Sequence, residues 1–298
     1  MMVNTISGKI AKGFVWTSID RFSTQFVQFI IGIVIARLIT PHEYGVMGIL
    51  LVFINISQVF IDSGLGSALI YRNNKQNDDL QTTFTFNLII SVALFVLLFG
   101  ISPYIESFFH LDGLSKYMRV CIFVLLTNSL IVVPTAILKI NLDFKALAIS
   151  NVISTAISGI LGVVTAYKGL GVWALIIQLL SKSVFQLLLI FLQCRWLPNL
   201  SFHKKSFKAL YDYGVKLFGA TCLTKIVDES TTFFIGKFLS PTSLGVFTRA
   251  NQFASLPSTS FGTIVSSVLF PSFSSLKNDE VEFNRIFRKA VIYQAAIS

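Results

Sequence analysis

The sequence predicts an all-α polytopic membrane protein, and three observations carry that prediction. Of 298 residues, 54% are hydrophobic and 13% charged, with 29 Phe and a mean hydropathy of +0.74. Apolar runs of about 20 residues recur along the chain, the length a helix needs to cross hydrocarbon. Alternation with a period of two is absent, which argues against an outer-membrane barrel.

Helix 1 is expected over 13–39 and helix 2 over 44–71, joined by the turn Thr40-Pro41-His42-Glu43-Tyr44-Gly45. On helix 1 the polar residues Thr17, Asp20, Arg21, Thr24, Gln25 and Gln28 fall at steps of three and four, along one stripe. Helix 2 answers with Asn55, Gln58 and Asp62 on one face. At 1.5 Å per residue Arg21 and Asp62 would each lie roughly 12 Å deep, able to face one another. Charge at that depth needs pairing or water. One reading is an ion pair that locks two helices; the other, favoured because the stripe holds more polar groups than one pair needs, is a functional lumen.

A polar loop over 72–79 precedes helix 3 (80–109), and a loop at 110–116 precedes helix 4 (117–140), where Pro134 predicts a kink. Helix 5 (146–167) carries Ser154, Ser158, Gly159 and Gly162, small enough for close helix packing. Helix 6 covers 172–197 and holds Gln178, Lys182 and Gln186 on one face. The segment 198–212, with Lys204, Lys205 and Lys208 among Phe202, Phe207 and Leu210, predicts an amphipathic linker on the inner surface. Helix 7 (213–239) carries Lys225, Asp228 and Glu229, where a local ion pair is as good a reading as a cavity role. Helix 8 (244–276), with Arg249 one turn in, is interrupted by Pro257 and Pro271. Residues from Ala290 are too few for a ninth span, so the sequence is expected to be a fragment.

The stretch Ala36–Val46 aligns without gaps with Gly236–Val246, with Pro41/Pro241, Gly45/Gly245 and Val46/Val246 identical. This suggests an internal duplication, although Pro and Gly terminate many helical hairpins. The expected organisation is therefore a six-helix lobe at 1–197, the linker at 198–212, and the start of a second lobe at 213–298.

With the N-terminus on the cytoplasmic side, inner segments hold fourteen Lys and Arg against five in the outer turns, Arg37, Lys116, Arg119, Lys168 and Lys237. That asymmetry assigns much of the net charge of +10 to the membrane's inner face and not to nucleic acid. Cys121, Cys194 and Cys222 lie in apolar stretches without metal-ligand spacing, so neither a metal nor a disulfide framework is expected. No nucleophile–base pair or phosphate-cradling glycine loop is visible. A transporter without a cofactor is expected, not an enzyme.

Arg21, Lys182, Lys225 and Arg249 lie inside expected spans, with Asp20, Gln25, Gln28, Asn55, Gln58, Asp62, Gln178 and Asp228 as polar or coupling companions. A cationic cavity lined by such groups suits phosphate, which Arg binds bidentately and Lys as a point charge.

The runs Arg37–Val46, Phe60–Ile70 and Leu244–Ala250 resemble those of polysaccharide-transport flippases, the O-antigen, exopolysaccharide and colanic-acid-exporter branch of the superfamily that also holds multidrug exporters and lipid II flippases. The resemblance covers essentially the whole chain. It implies two lobes of six helices around a cationic cavity in the bacterial inner membrane. It also implies undecaprenyl-diphosphate-linked oligosaccharide as cargo, membrane lipids as partners, and H+ or Na+ as coupling ion. Asp20-Arg21 is similar to the acidic and basic pair that lipid II flippases place in their cavity. Two alternatives remain: a cation-coupled exporter of cationic drugs, and a membrane glycan polymerase or ligase, for which the outer turns are short.

Overall fold

The computed structural model describes residues 2–71 and 76–254, all helices and short connections. In chain order these are α1 (Met2–Leu38), α2 (Pro41–Asp62), α3 (Leu65–Tyr71), α4 (Asn77–Phe109), α5 (Leu114–Cys121), α6 (Phe123–Ile140), α7 (Phe144–Tyr167), α8 (Val172–Cys194) and α9 (Lys204–Phe238). Residues 241–254 are also helical and are labelled α10. Six stretches are long and apolar enough to cross a membrane: Val15–Leu38, Pro41–Ile70, Asn77–Phe109, Leu114–Ile140, Phe144–Tyr167 and Val172–Cys194. At 35 residues α9 has the length, and carries Lys216, Lys225, Asp228, Glu229 and Lys237 along it.

The start of α2 is dictated locally. Thr40 has extended backbone and accepts the Glu43 amide, while the Glu43 carboxylate accepts the Thr40 amide at 2.8 Å, a capping box with Pro41 in the first turn. The second copy repeats the cap: Ser240 Oγ accepts the Ser243 amide at 3.1 Å, with Pro241 between them. The side of the molecule bearing these two turns is called the turn side below, and the side of Asp62 and Lys139 the loop side.

Several expected boundaries move, among them helix 3, which starts at Asn77, and helix 6, which ends at Cys194. The helix expected over 44–71 breaks into α2 and α3, because Ser63 (φ 41°) and Gly64 (φ 69°) are both left-handed. The helix expected over 117–140 starts at Leu114 and divides at Ile122 into α5 and α6. Helix 1 begins at Met2, ahead of the expected Gly13. The linker helix and helix 7, expected to separate at residue 213, form the single helix α9; nothing at Asp212-Tyr213 breaks a helix. Pro257, Pro271 and the expected ninth helix lie outside the described residues.

The main core is formed where α2, α5, α6 and α8 meet, with Leu50, Ile61, Met118, Cys121, Leu125 and Ile176 fully enclosed. On α7, Ser154, Ser158, Gly159 and Gly162 are all buried, as the small-residue pattern predicts. A methyl on Gly159 would overlap Ile31 of α1, and one on Gly162 would crowd Gln178 of α8. The stripe therefore sets how closely α7 can hold both neighbours.

The two copies of the turn pack on one another. A methyl on Gly45 would overlap the carbonyl oxygen of Pro241, and a methyl on Gly245 would overlap that of Pro41. Next to them Gly48 meets Thr248 and Leu244, and Gly236 meets Ile49 and Leu244. The contact is reciprocal, as a two-fold relation between the copies requires.

Candidate functional site

Charged and amide side chains inside the bundle gather at three heights. On the loop side, Asp20 of α1 accepts both hydrogen-bond contacts of Asn151 Nδ2 (3.1 and 3.3 Å) and the Thr24 hydroxyl at 3.2 Å. Lys182 of α8 lies within electrostatic reach of Asp20 and of Arg21. Arg21 itself is exposed and makes no hydrogen bond or ion pair among the described residues.

A hydrogen-bonded chain crosses from α8 through α6 to α2. Ser183 donates to Asn128 Oδ1 at 2.7 Å, Asn128 Nδ2 donates to Gln58 Oε1 at 2.9 Å, and Gln58 Nε2 donates to Asp62 Oδ1 at 3.2 Å. Each amide uses its donor on one side and its acceptor on the other, which fixes its orientation. The chain ends on a cavity of about 450 Å³, walled by α2, α3, α6, α8 and α9 and lined by Gln58, Asp62, Asn128, Lys139, Gln186 and Thr221 among others. Asp62 and Lys139 act on one another across it.

At mid-height, Asn55 Nδ2 donates to Glu229 Oε1 at 2.9 Å and Lys225 Nζ lies 2.9 Å from the same oxygen. Glu229 is only 9% exposed, so α2 and α9 are joined by a buried carboxylate. Asn55 precedes Asp62 by seven residues, roughly 10 Å along α2. On the turn side, the Arg249 guanidinium lies 3.4 Å from the centre of the Tyr44 ring, and its Nη1 donates to Gln252 at 2.8 Å. Tyr44 and Asp62 are eighteen residues apart on α2, roughly 27 Å.

Of the four cations expected to share one cavity, Arg21 and Lys182 lie on the loop side within electrostatic reach of one another, Lys225 and Arg249 stand at the other two heights, and none of the four lines the cavity beside Asp62. Arg21 and Asp62 form no ion pair among the described residues; Asn151 holds Asp20, and Lys139 lies within electrostatic reach of Asp62. The local pair on α9 uses Glu229, while Asp228 is exposed. Gln178 packs over Gly162, and Gln25 and Gln28 are half-buried along α1. Gln58 and Asp62 do line the cavity. Sequence reasoning misses Lys139, Asn128, Asn151 and Ser183 as site residues. Lone amides within apolar spans are the available signal for Asn128 and Asn151; Lys139 reads as one more loop cation.

A match to the family described as polysaccharide biosynthesis protein runs over residues 34–298. This chain belongs to that family. Among similar polysaccharide biosynthesis proteins, the succinoglycan biosynthesis transport protein ExoT of Rhizobium meliloti is 23% identical over 279 residues, covering 93% of this chain and 56% of that protein. The teichuronic acid biosynthesis protein TuaB of Bacillus subtilis is 25% identical over 275 residues, covering 92% and 57%. The lipopolysaccharide biosynthesis protein WzxC of Escherichia coli is 21% identical over 288 residues, covering 94% and 58%. This polysaccharide biosynthesis protein thus spans about half the length of the curated relatives it matches. Its fold resembles that of the MATE multidrug transporter DinF-BH, solved with a bound ligand, with a TM-score of 0.51 at 15% identity over 97% of this chain and 69% of that one.

Proposed function

We propose that the whole protein is a flippase. It moves undecaprenyl-diphosphate-linked oligosaccharide repeat units from the inner to the outer leaflet of the bacterial inner membrane, for O-antigen or exopolysaccharide synthesis. The lobes 1–197 and 213–298 would rock about the turn-side contact, with 198–212 joining them, H+ or Na+ as coupling ion and the N-terminus cytoplasmic. The observation that carries the reading is a cavity lined by Asp62, Lys139 and three amides within an apolar bundle, in a member of a polysaccharide biosynthesis family. A relative named as a succinoglycan transport protein and a transporter fold support movement without bond chemistry.

The test is reconstitution in liposomes with a labelled lipid-linked oligosaccharide. The label should change leaflet at constant mass. A product of altered mass would favour a polymerase or ligase, and movement of cationic drugs in its place would favour a drug exporter. Arg21→Ala and Lys182→Ala should each slow transfer about tenfold or more, the scale of one lost charge-assisted contact. Full transfer rates in both variants would remove the phosphate-binding role.

A further inference from the structure

The composition of the cavity beside Asp62 does not match a diphosphate. Among the described residues its charged members are one carboxylate and one ammonium, Asp62 and Lys139, which act on each other. A phosphate placed there would meet the Asp62 carboxylate, and like charges in a space partly shielded from water repel strongly. The rest of the polar wall is amide and hydroxyl: Gln58, Asn128 and Gln186, with Ser67, Thr135 and Thr221.

Amides present donors and acceptors together, as sugar hydroxyls require. Part of this wall is already set. The chain from Ser183 holds Gln58 on Asp62 Oδ1, while Asp62 Oδ2, Lys139 and Gln186 have no hydrogen-bond partner among the described residues. One free acceptor, one free cationic donor and one free amide thus face a single space. The facing wall carries Phe218, whose ring also meets Phe60 edge-on at 5.3 Å. Aromatic and aliphatic surface of this kind packs against the C–H faces of a pyranose ring.

We propose that this cavity receives the neutral, polyhydroxylated sugar end of the lipid-linked substrate, and that the diphosphate lies outside it, beside the exposed and unpaired Arg21. The assignment rests on the flippase reading and divides that substrate between two sets of residues.

Affinities of the whole protein in nanodiscs for two lipids test it: undecaprenyl diphosphate, and undecaprenyl diphosphate bearing an oligosaccharide. Asp62→Asn and Gln186→Ala should weaken the glycan-bearing lipid about tenfold, the scale of a lost hydrogen bond to a charged or amide partner, and so erase its advantage over the bare lipid. Arg21→Ala should weaken both lipids alike. The same oligosaccharide without lipid or phosphate should compete with the glycan-bearing lipid on the wild type, a readout independent of any substitution. Equal loss for both lipids in the Asp62 and Gln186 variants, or no competition by the free oligosaccharide, overturns the assignment while leaving the flippase reading intact. If the wild type binds neither lipid, both fall.

Discussion

Glu229 shows how one buried carboxylate can be held by two helices at once. Its Oε1 takes Lys225 from its own helix and Asn55 from α2, at 2.9 Å each. Removing it by Glu229→Ala leaves a half-buried ammonium and an amide without their acceptor, a loss expected to cost about 1–3 kcal/mol. The Lys225→Met/Glu229→Leu double variant should be more stable than Glu229→Leu alone, since it removes the orphaned charge along with its partner. Thermal unfolding of the detergent-solubilised protein checks both, and equal melting temperatures for the single and double variants would discard the coupling. In the sequence, Asp228 and Glu229 are equivalent partners for Lys225. Only the packing of α9 on α2, which buries one and exposes the other, separates them.

Among the elements, the corner between α2 and α3 is doubly constrained. Gly64 sits at φ 69°, and a methyl there would overlap the carbonyl oxygen of Gly214 on α9. Gly64→Ala therefore meets a left-handed backbone and a backbone clash together, and should destabilise by about 1–3 kcal/mol or displace the start of α9. Unchanged stability with unchanged protease sensitivity around residue 214 would contradict this.

The corner is hidden in the sequence because Ser63-Gly64-Leu65-Gly66 sits inside an apolar run whose period continues on both sides. The Thr40-Pro41 turn is legible because cap, proline and glycine all coincide there. Likewise the polar stripes of α1 and α2 can be read from spacing alone. Which of their members meet cannot, because it depends on Asn151, Asn128 and Lys139 arriving from helices far along the chain. The run of α9 through residue 213 escapes notice because its polar start resembles a surface linker, although no residue there stops a helix.

At the scale of the molecule, the two turns form one contact made twice. Gly45→Ala and Gly245→Ala each push a methyl into the other copy's backbone, so either alone should part the turn side. Because both act on the same contact, the double variant should cost much less than the sum of the two single losses. Cysteine cross-linking between Thr40 and Ser240 neighbourhoods, compared in wild type and variants, reads the separation directly; additive effects would argue against a shared contact.

Each turn fits its partner only because both lack a side chain at the same place. Of the three identities between Ala36–Val46 and Gly236–Val246, Pro41/Pro241 and Gly45/Gly245 are the residues that touch across the pseudo-axis. Drift in one copy is thereby policed by the other, since a change in either is felt by both.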